Sequence, residues 1–282
     1  MFGFRLSAIG AALFLCSAAA SAQTLGHCRF DRTTLQFAGT PVEQARCLLT
    51  KILPYGHLAP TPADLGPGLA ERVGRPVAIN RDVLREALRT AGLPDLAASL
   101  GQPISQTASG IAARYFVLHD VAQRIPDSSF PDNSERRLNR LGVRNKDGEW
   151  IAHMFVNRLG RVFIGHDIYK PWPATKLERF AGRNRTRGLF IHVEHNQPRR
   201  QPRGAGYAWL APTPGFTTAQ YNTSALLYIW ASYRAGRWLI PAFHGVMDKG
   251  LSRDSHDDPQ NFELAEWDAA IARHASGLEN RR

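Results

Sequence analysis

The spacing of apolar residues changes character near residue 110. Before that point, helical periods alternate with proline-rich connections. Thr40-Pro-Val-Glu43 forms a capping box with proline at the first helical position, which predicts a helix over residues 41–53 carrying Cys47. A second helix is predicted from Asn80 to a stop at Gly92, with Pro54, Pro60, Pro62 and Pro67 marking the loops between the two. This stretch holds no cluster of histidine, cysteine and carboxylate, so packing or substrate positioning is its expected role. Beyond residue 110 the pattern becomes that of short strands, the best at Tyr115–His119, His153–Arg158 and Gly188–Glu194. A second capping box, Thr217-Thr-Ala-Gln220, opens a long helix whose residues Tyr221, Leu226, Leu227, Ile229, Trp230 and Tyr233 lead to a terminating Gly236. A last helix, from about Glu263 to Ser276, sets Leu264, Trp267 and Ile271 on one side. Strands interleaved with helices indicate an α/β or α+β domain over residues 111–282, preceded by a mostly helical accessory region over residues 23–110.

The first 22 residues have a different texture: Arg5, an apolar stretch from Ile9 to Leu15, then small residues ending Ala20-Ser21-Ala22. That order reads as a secretory leader cleaved after Ala22, too short in its apolar part to span a bilayer. Cys16 follows the large Leu15 inside the apolar stretch, which does not fit a lipid-anchor site. Losing the leader removes Arg5 and no acid, so the formal charge falls only from +11 to +10. So basic a chain favours anionic partners. Export takes it away from nucleic acid and leaves cell-wall polymers or membrane surfaces, in the periplasm or the medium, without stable membrane insertion. Cys28 and Cys47 then form an even pair, the expectation for a disulfide in an exported protein, and too sparse for a closed zinc site. The neighbouring His27 reads as a surface histidine.

Candidate chemistry is confined to the second part. There is no G-x-S-x-G elbow, no H-E-x-x-H helix and no phosphate-cradling glycine loop. What remains is a set of histidines delivered by apolar runs. His119 ends Tyr115-Phe-Val-Leu-His119, His244 follows Leu-Ile-Pro-Ala-Phe, and Asp258 sits in the polar turn His256-Asp-Asp-Pro-Gln-Asn-Phe262. Two imidazoles and one carboxylate are the ligand set of a catalytic zinc with a fourth position open. On spacing alone, strand-end histidines are more often hydrogen-bonded structural residues than ligands.

Four segments in order carry a resemblance. They are Phe116-Val-Leu-His119-Asp120, His153-Met-Phe-Val-Asn-Arg158-Leu-Gly160, the apolar run into His244, and Asp258-Pro259 with Phe262 and Trp267. Over residues 112–275 the chain resembles the type 2 N-acetylmuramoyl-L-alanine amidases, the family that includes the animal peptidoglycan recognition proteins. The resemblance implies a mixed central sheet flanked by helices, and zinc held by His119, His244 and Asp258. It further implies a base at Glu194, with His192 next, since the family's glutamate falls on His192 and Glu194 shares its strand face. His256 stands where the family has an oxyanion-steadying lysine, and Trp172-Pro-Ala-Thr replaces a histidine-bearing segment. Asp257 leaves the carboxylate ligand open by one position. Asp120 reads as orienting an imidazole or as a plain turn carboxylate, and His153 as structural.

The implied activity is hydrolysis of the muramoyl-L-alanine amide in peptidoglycan or muropeptides. The alternatives are a non-catalytic peptidoglycan-binding protein, or an unrelated exported protein with structural histidines. Two basic stretches, Arg183–Arg187 and Arg199–Arg203, read as a solvated loop pair around the third strand or as partners for peptide carboxylates. His195, Gln197 and Pro198 fall in the same expected loop.

Overall fold

The structure is a computed structural model and describes residues 22–126, 128–201, 209–251 and 256–281. The leader assigned to residues 1–22 lies outside the described residues except for Ala22, as does Arg203 of the second basic stretch.

The N-terminal region is less helical than its periodicity suggests. It opens with an antiparallel three-stranded sheet of β1 (Ala22–Leu25), β2 (Cys28–Asp31) and β3 (Gln36–Phe37). Helix α1 (Pro41–Leu48) follows, with the expected Thr40/Glu43 capping box. It stops five residues short of the predicted end. Leu53 precedes Pro54, which pushes it into an extended conformation, and the intervening residues pair back through an Ile52–Leu58 bridge. The Cys28–Cys47 disulfide ties β2 to α1 across a Cα–Cα distance of 5.6 Å. Helices α2 (Pro67–Ala70), α3 (Arg81–Thr90, capped by Asn80) and α4 (Pro94–Ala98) complete the region.

The second part is built on a mixed five-stranded sheet in the order β6-β5-β7-β4-β8. Its strands are β4 (Tyr115–Ile125), β5 (Met154–Val156), β6 (Val162–Ile164), β7 (Phe190–Arg200) and β8 (Ile240–Phe243). β4 runs parallel to both β7 and β8, β5 is parallel to β7, and only edge strand β6 is antiparallel. Short helices α5 (Lys176–Phe180) and α6 (Arg183–Thr186) precede β7. Helix α7 (Thr218–Ala235) carries the predicted Thr217/Gln220 box and ends on Gly236 at φ 70°. Helix α8 (His244–Met247) follows β8 directly, and α9 (Leu264–Glu279) closes the chain.

The largest departure from the periodicity is the length of β4 and β7. They pair over eleven residues, from Tyr115 with Phe190 to Ile125 with Arg200. Residues 195–200, expected as a loop, are therefore strand. Alternation gives no warning because His195, Asn196, Gln197 and Arg199 are all buried. Polar groups on both faces of a covered parallel strand are satisfied by partners far away in sequence, not by solvent.

One hydrophobic core spans both regions, from Leu25 and Phe30 through Tyr115 and Phe190 to Trp267 and Leu278. Polar contacts stitch across it. Tyr115 Oη accepts from the Phe37 amide and donates to Gln44 Oε1, both at 3.1 Å. The Gly68 and Leu69 amides donate to the Asp268 carboxylate at 3.0 and 2.7 Å. Gly68 has to be glycine, because a Cβ there would stand 2.3 Å from the Asp268 carbonyl oxygen. Among the described residues no helix is long and apolar enough to cross a membrane.

Candidate metal centre

Leu118 of β4 pairs with Phe243 of β8, so the next residue on each chain, His119 and His244, emerges at the same level of the sheet. That level is the carboxyl end of β8 and near that of β5, and lies midway along the longer β4 and β7. The Asp258 carbonyl accepts from the Gly245 amide at 2.8 Å and docks the turn before α9 against the start of α8. Glu194 reaches the same point from β7, in register with His119. His119, Glu194 and His244, at least 50 residues apart, thus meet because β4 is flanked by β7 and β8.

Asp258 Oδ2 lies 2.9 Å from His244 Nδ1 and 3.7 Å from His119 Nδ1, and Glu194 Oε1 is 3.9 Å from the same His119 nitrogen. One ligand atom from each of His119, His244 and Asp258 falls within 4.8 Å of the others. Ligand atoms held about 2.0–2.1 Å from one tetrahedral ion stand about 3.3 Å apart, so the observed spacings bracket those of a bound metal. The far side of each imidazole is also occupied. His244 Nε2 is 2.9 Å from Asp248 Oδ2, and Asp248 is itself fixed by the Lys176 and Leu177 amides at 3.0 and 2.9 Å. His119 Nε2 is 3.0 Å from His192 Nδ1, and His192 Nε2 stands 3.3 Å from Glu178 Oε2. Two imidazoles held from behind, with their Nδ1 atoms converging on one carboxylate, fit a divalent metal. Asp258 is the acid that faces them. Asp257 turns away to Arg199, which resolves the one-residue ambiguity of the sequence.

The electrostatics set the two imidazoles apart. Burial, followed by the neighbouring His244 and His192, holds His119 well below the ordinary histidine range, in the neutral form a ligand needs. Burial also works against a charged His244, yet Asp258 and Asp248 on its two sides raise it well above that range. Burial disfavours an ionised Asp258, but His244 outweighs it and holds the carboxyl well below the usual carboxylate range. Glu194 is pushed up to about 8, first by burial and then by the Asp258 carboxylate. A dication among these groups would cancel that repulsion and return Glu194 towards its ionised form.

The centre opens into a cavity of about 360 Å³, whose lining includes His119, Glu194, His244, His256, Trp172 and Arg183. The His256 ring is tilted by 40° against His244 with centroids 4.0 Å apart and lies 3.4 Å from Asp258 Oδ1, so it reaches the cavity beside the candidate carboxylate ligand. His192 does not reach it. That residue is wholly buried and stands behind His119. His153 spends both ring nitrogens on backbone, accepting from the His192 amide and meeting the Lys170 carbonyl, each at 3.1 Å.

Asp120 is neither a turn residue nor a partner of an imidazole. It lies buried in β4 against Arg199, with an oxygen 2.6 Å from the guanidinium, and it accepts from the Gln260 amide at 3.2 Å. Arg199 also grips Asp257 at 2.5 Å, and thereby ties the middle of β4 to the turn bearing Asp258. Read as a solvated loop cation, Arg199 is in fact the buried clamp of the ligand turn. Behind the same turn, a Cβ on Gly56 would lie 3.3 Å from the His256 carbonyl, so the N-terminal region backs the centre directly.

Sequence reasoning passes over Asp248 and Glu178, and sets Arg199 in a loop. Asp248 has a legible signal, four residues after His244 and so on one helical face. Glu178 is visible only as the third position of a capping box with Thr175. Arg199 has none.

No protein-family profile, curated protein or solved structure matches the chain.

Proposed function

We propose that this chain is an exported zinc-dependent N-acetylmuramoyl-L-alanine amidase. It would hydrolyse the amide that joins the lactyl group of N-acetylmuramic acid to L-alanine in peptidoglycan or muropeptides. The observation that carries this reading is the convergence of His119, His244 and Asp258 where His119, His244 and Glu194 line an open cavity. The order of the four resembling segments supports it.

A zinc ion held by the trio supplies Lewis acidity for a carbonyl and acidifies water. The chain's own residues do the rest. Glu194, with one carboxylate oxygen free of protein partners, takes the proton of the attacking water and returns it to the departing amine nitrogen. His256, next to Asp258 on the cavity wall, donates to the carbonyl oxygen as it gains charge. Asp248 and His192 hold the two ligand imidazoles in place.

The test is digestion of purified peptidoglycan by the mature chain, with products read by mass spectrometry. Free peptide stems and unsubstituted glycan should be released, and release should stop with chelator, recover with zinc and fail in His244→Ala. Glu194→Gln should lower the rate by about 10²- to 10⁴-fold while metal is retained. Binding to the wall without release would replace this reading with a recognition protein. Neither binding nor metal would overturn it.

A further inference from the structure

His244 presents a donor at each edge of its ring. Its Nδ1 is 2.9 Å from Asp258 in the trio, and its Nε2 is 2.9 Å from Asp248 Oδ2. His256 lies alongside in the same sense, with Nδ1 3.4 Å from Asp258 Oδ1 and Nε2 3.8 Å from that same Asp248 oxygen. Both rings therefore span the gap between Asp258 at one end and Asp248 at the other. A carboxylate that did no more than steady a ligand imidazole from behind would serve one ring. Asp248 gathers two.

One ligand atom from each of His244, Asp248 and His256 falls within 4.8 Å of the others, as in the trio. The separations of 2.9 and 3.8 Å from Asp248 Oδ2 again bracket the spacing of about 3.3 Å between donors on one tetrahedral ion. Asp248 is fully buried, and the Lys176 and Leu177 amides orient it while leaving acceptor capacity for an ion, as hydrogen-bonded carboxylate ligands do. His256 is the open member of the set: its side chain is 35 % exposed and lines the cavity, which gives an ion its way in. The origin of the donors differs from that of the trio. His244 and Asp248 are four residues apart on one face of the α8 turn, and His256 follows eight residues later. β4 supplies none of them, so loss of His119 leaves this set whole.

We propose that His244, Asp248 and His256 form a second divalent-cation site, which shares His244 with the trio and takes zinc more weakly. Its weakness has two sources. The ion replaces the Nε2 hydrogen of His244, which passes to solvent as a proton, and the exposed His256 ring loses its freedom on binding. With both positions filled, the His244 ring bridges the two ions. The site stands whether or not the chain cuts peptidoglycan. Under the amidase reading, the second ion would take His256 from the carbonyl oxygen, so that zinc in excess would restrain the hydrolysis that the first equivalent supports.

The experiment is zinc titration of the full mature chain in competition with a chromogenic chelator, with the fold of each variant followed by circular dichroism. The parent should bind two equivalents, the second at least about tenfold more weakly, a separation that competition resolves. His256→Ala should lose the second equivalent and keep the first. His119→Ala should lose the first and keep a single weak one, and the double variant should bind neither. Should His119→Ala unfold, the His256→Ala arm decides alone, because that side chain is partly exposed and its loss leaves the core intact. A second equivalent that persists in His256→Ala overturns the proposal. So does an absence of zinc, a single equivalent that His256→Ala leaves intact, or a single equivalent lost in both variants. A single equivalent lost in His256→Ala and kept in His119→Ala leaves this site standing and removes the trio as a metal centre.

Discussion

His192 Nδ1 lies 3.0 Å from His119 Nε2, the ring nitrogen opposite the one that faces Asp258. With its other nitrogen 3.3 Å from Glu178, His192 stands between a buried carboxylate and the back of a candidate metal ligand. Such partners fix the ring and raise its basicity, and their loss weakens metal binding by about 10- to 100-fold. His192→Ala should therefore lower the zinc affinity of the proposed centre by that factor while the fold persists, as read by competition with a chromogenic chelator. Unchanged affinity would mean that the pair has no part in holding the metal.

Arg199 is buried between Asp120 and Asp257. Removing one partner of a buried ion pair strands the other charge and costs about 3–5 kcal/mol. Arg199→Met should lose stability in that range in urea titration. Adding Asp120→Asn should recover part of it, because the stranded charge is then gone. The single variant should also bind metal less tightly, since the turn bearing Asp258 loses its clamp.

The Cys28–Cys47 disulfide closes a loop with a sequence separation of 19. Chain entropy for a loop of this length corresponds to about 3 kcal/mol. Replacing both cysteines with serine should lower unfolding stability by about that amount, and reductant should have the same effect on the parent and none on the variant.

His195 is fully buried, its Nδ1 3.1 Å from the His119 carbonyl. Burial drives it from 6.5 down to about 4, against the opposing effect of that hydrogen bond. Between those values the unfolded chain takes up a proton that the folded chain refuses. Stability should fall as pH drops from 6.5 to 4, by about 3 kcal/mol for this residue alone, and stay level with respect to it above 6.5. His195→Asn keeps a donor near the Nδ1 position but cannot titrate, so its stability should fall less between pH 7 and pH 4.5. An identical slope in parent and variant would remove His195 from the acid response.

Features written in short-range patterns are legible in the amino-acid sequence alone. The Thr40/Glu43 and Thr217/Gln220 boxes, the Asn80 cap and the Gly236 stop each depend on backbone groups within four residues of one another. The apolar runs ending at His119 and preceding His244 are likewise local, and so are strong candidates for strands that deliver side chains to an edge. The cysteine pair is legible because only two remain to combine once the leader is set aside.

Which groups meet is a matter of tertiary structure. The pairing of β4 with both β7 and β8 sets His119, Glu194 and His244 at one level, and no local hydrogen bond encodes that order. The choice of Asp258 over Asp257 follows from Arg199, whose strand reads as a loop because its polar residues are satisfied by the distant Asp120, Asp257 and Gln260. His192 and Glu194 share a strand face two residues apart, yet one stands behind a ligand and the other beside the cavity. The sequence by itself determined the local elements and the residue types available for chemistry. Long-range packing, which buries polar groups only where distant partners satisfy them, decided their roles.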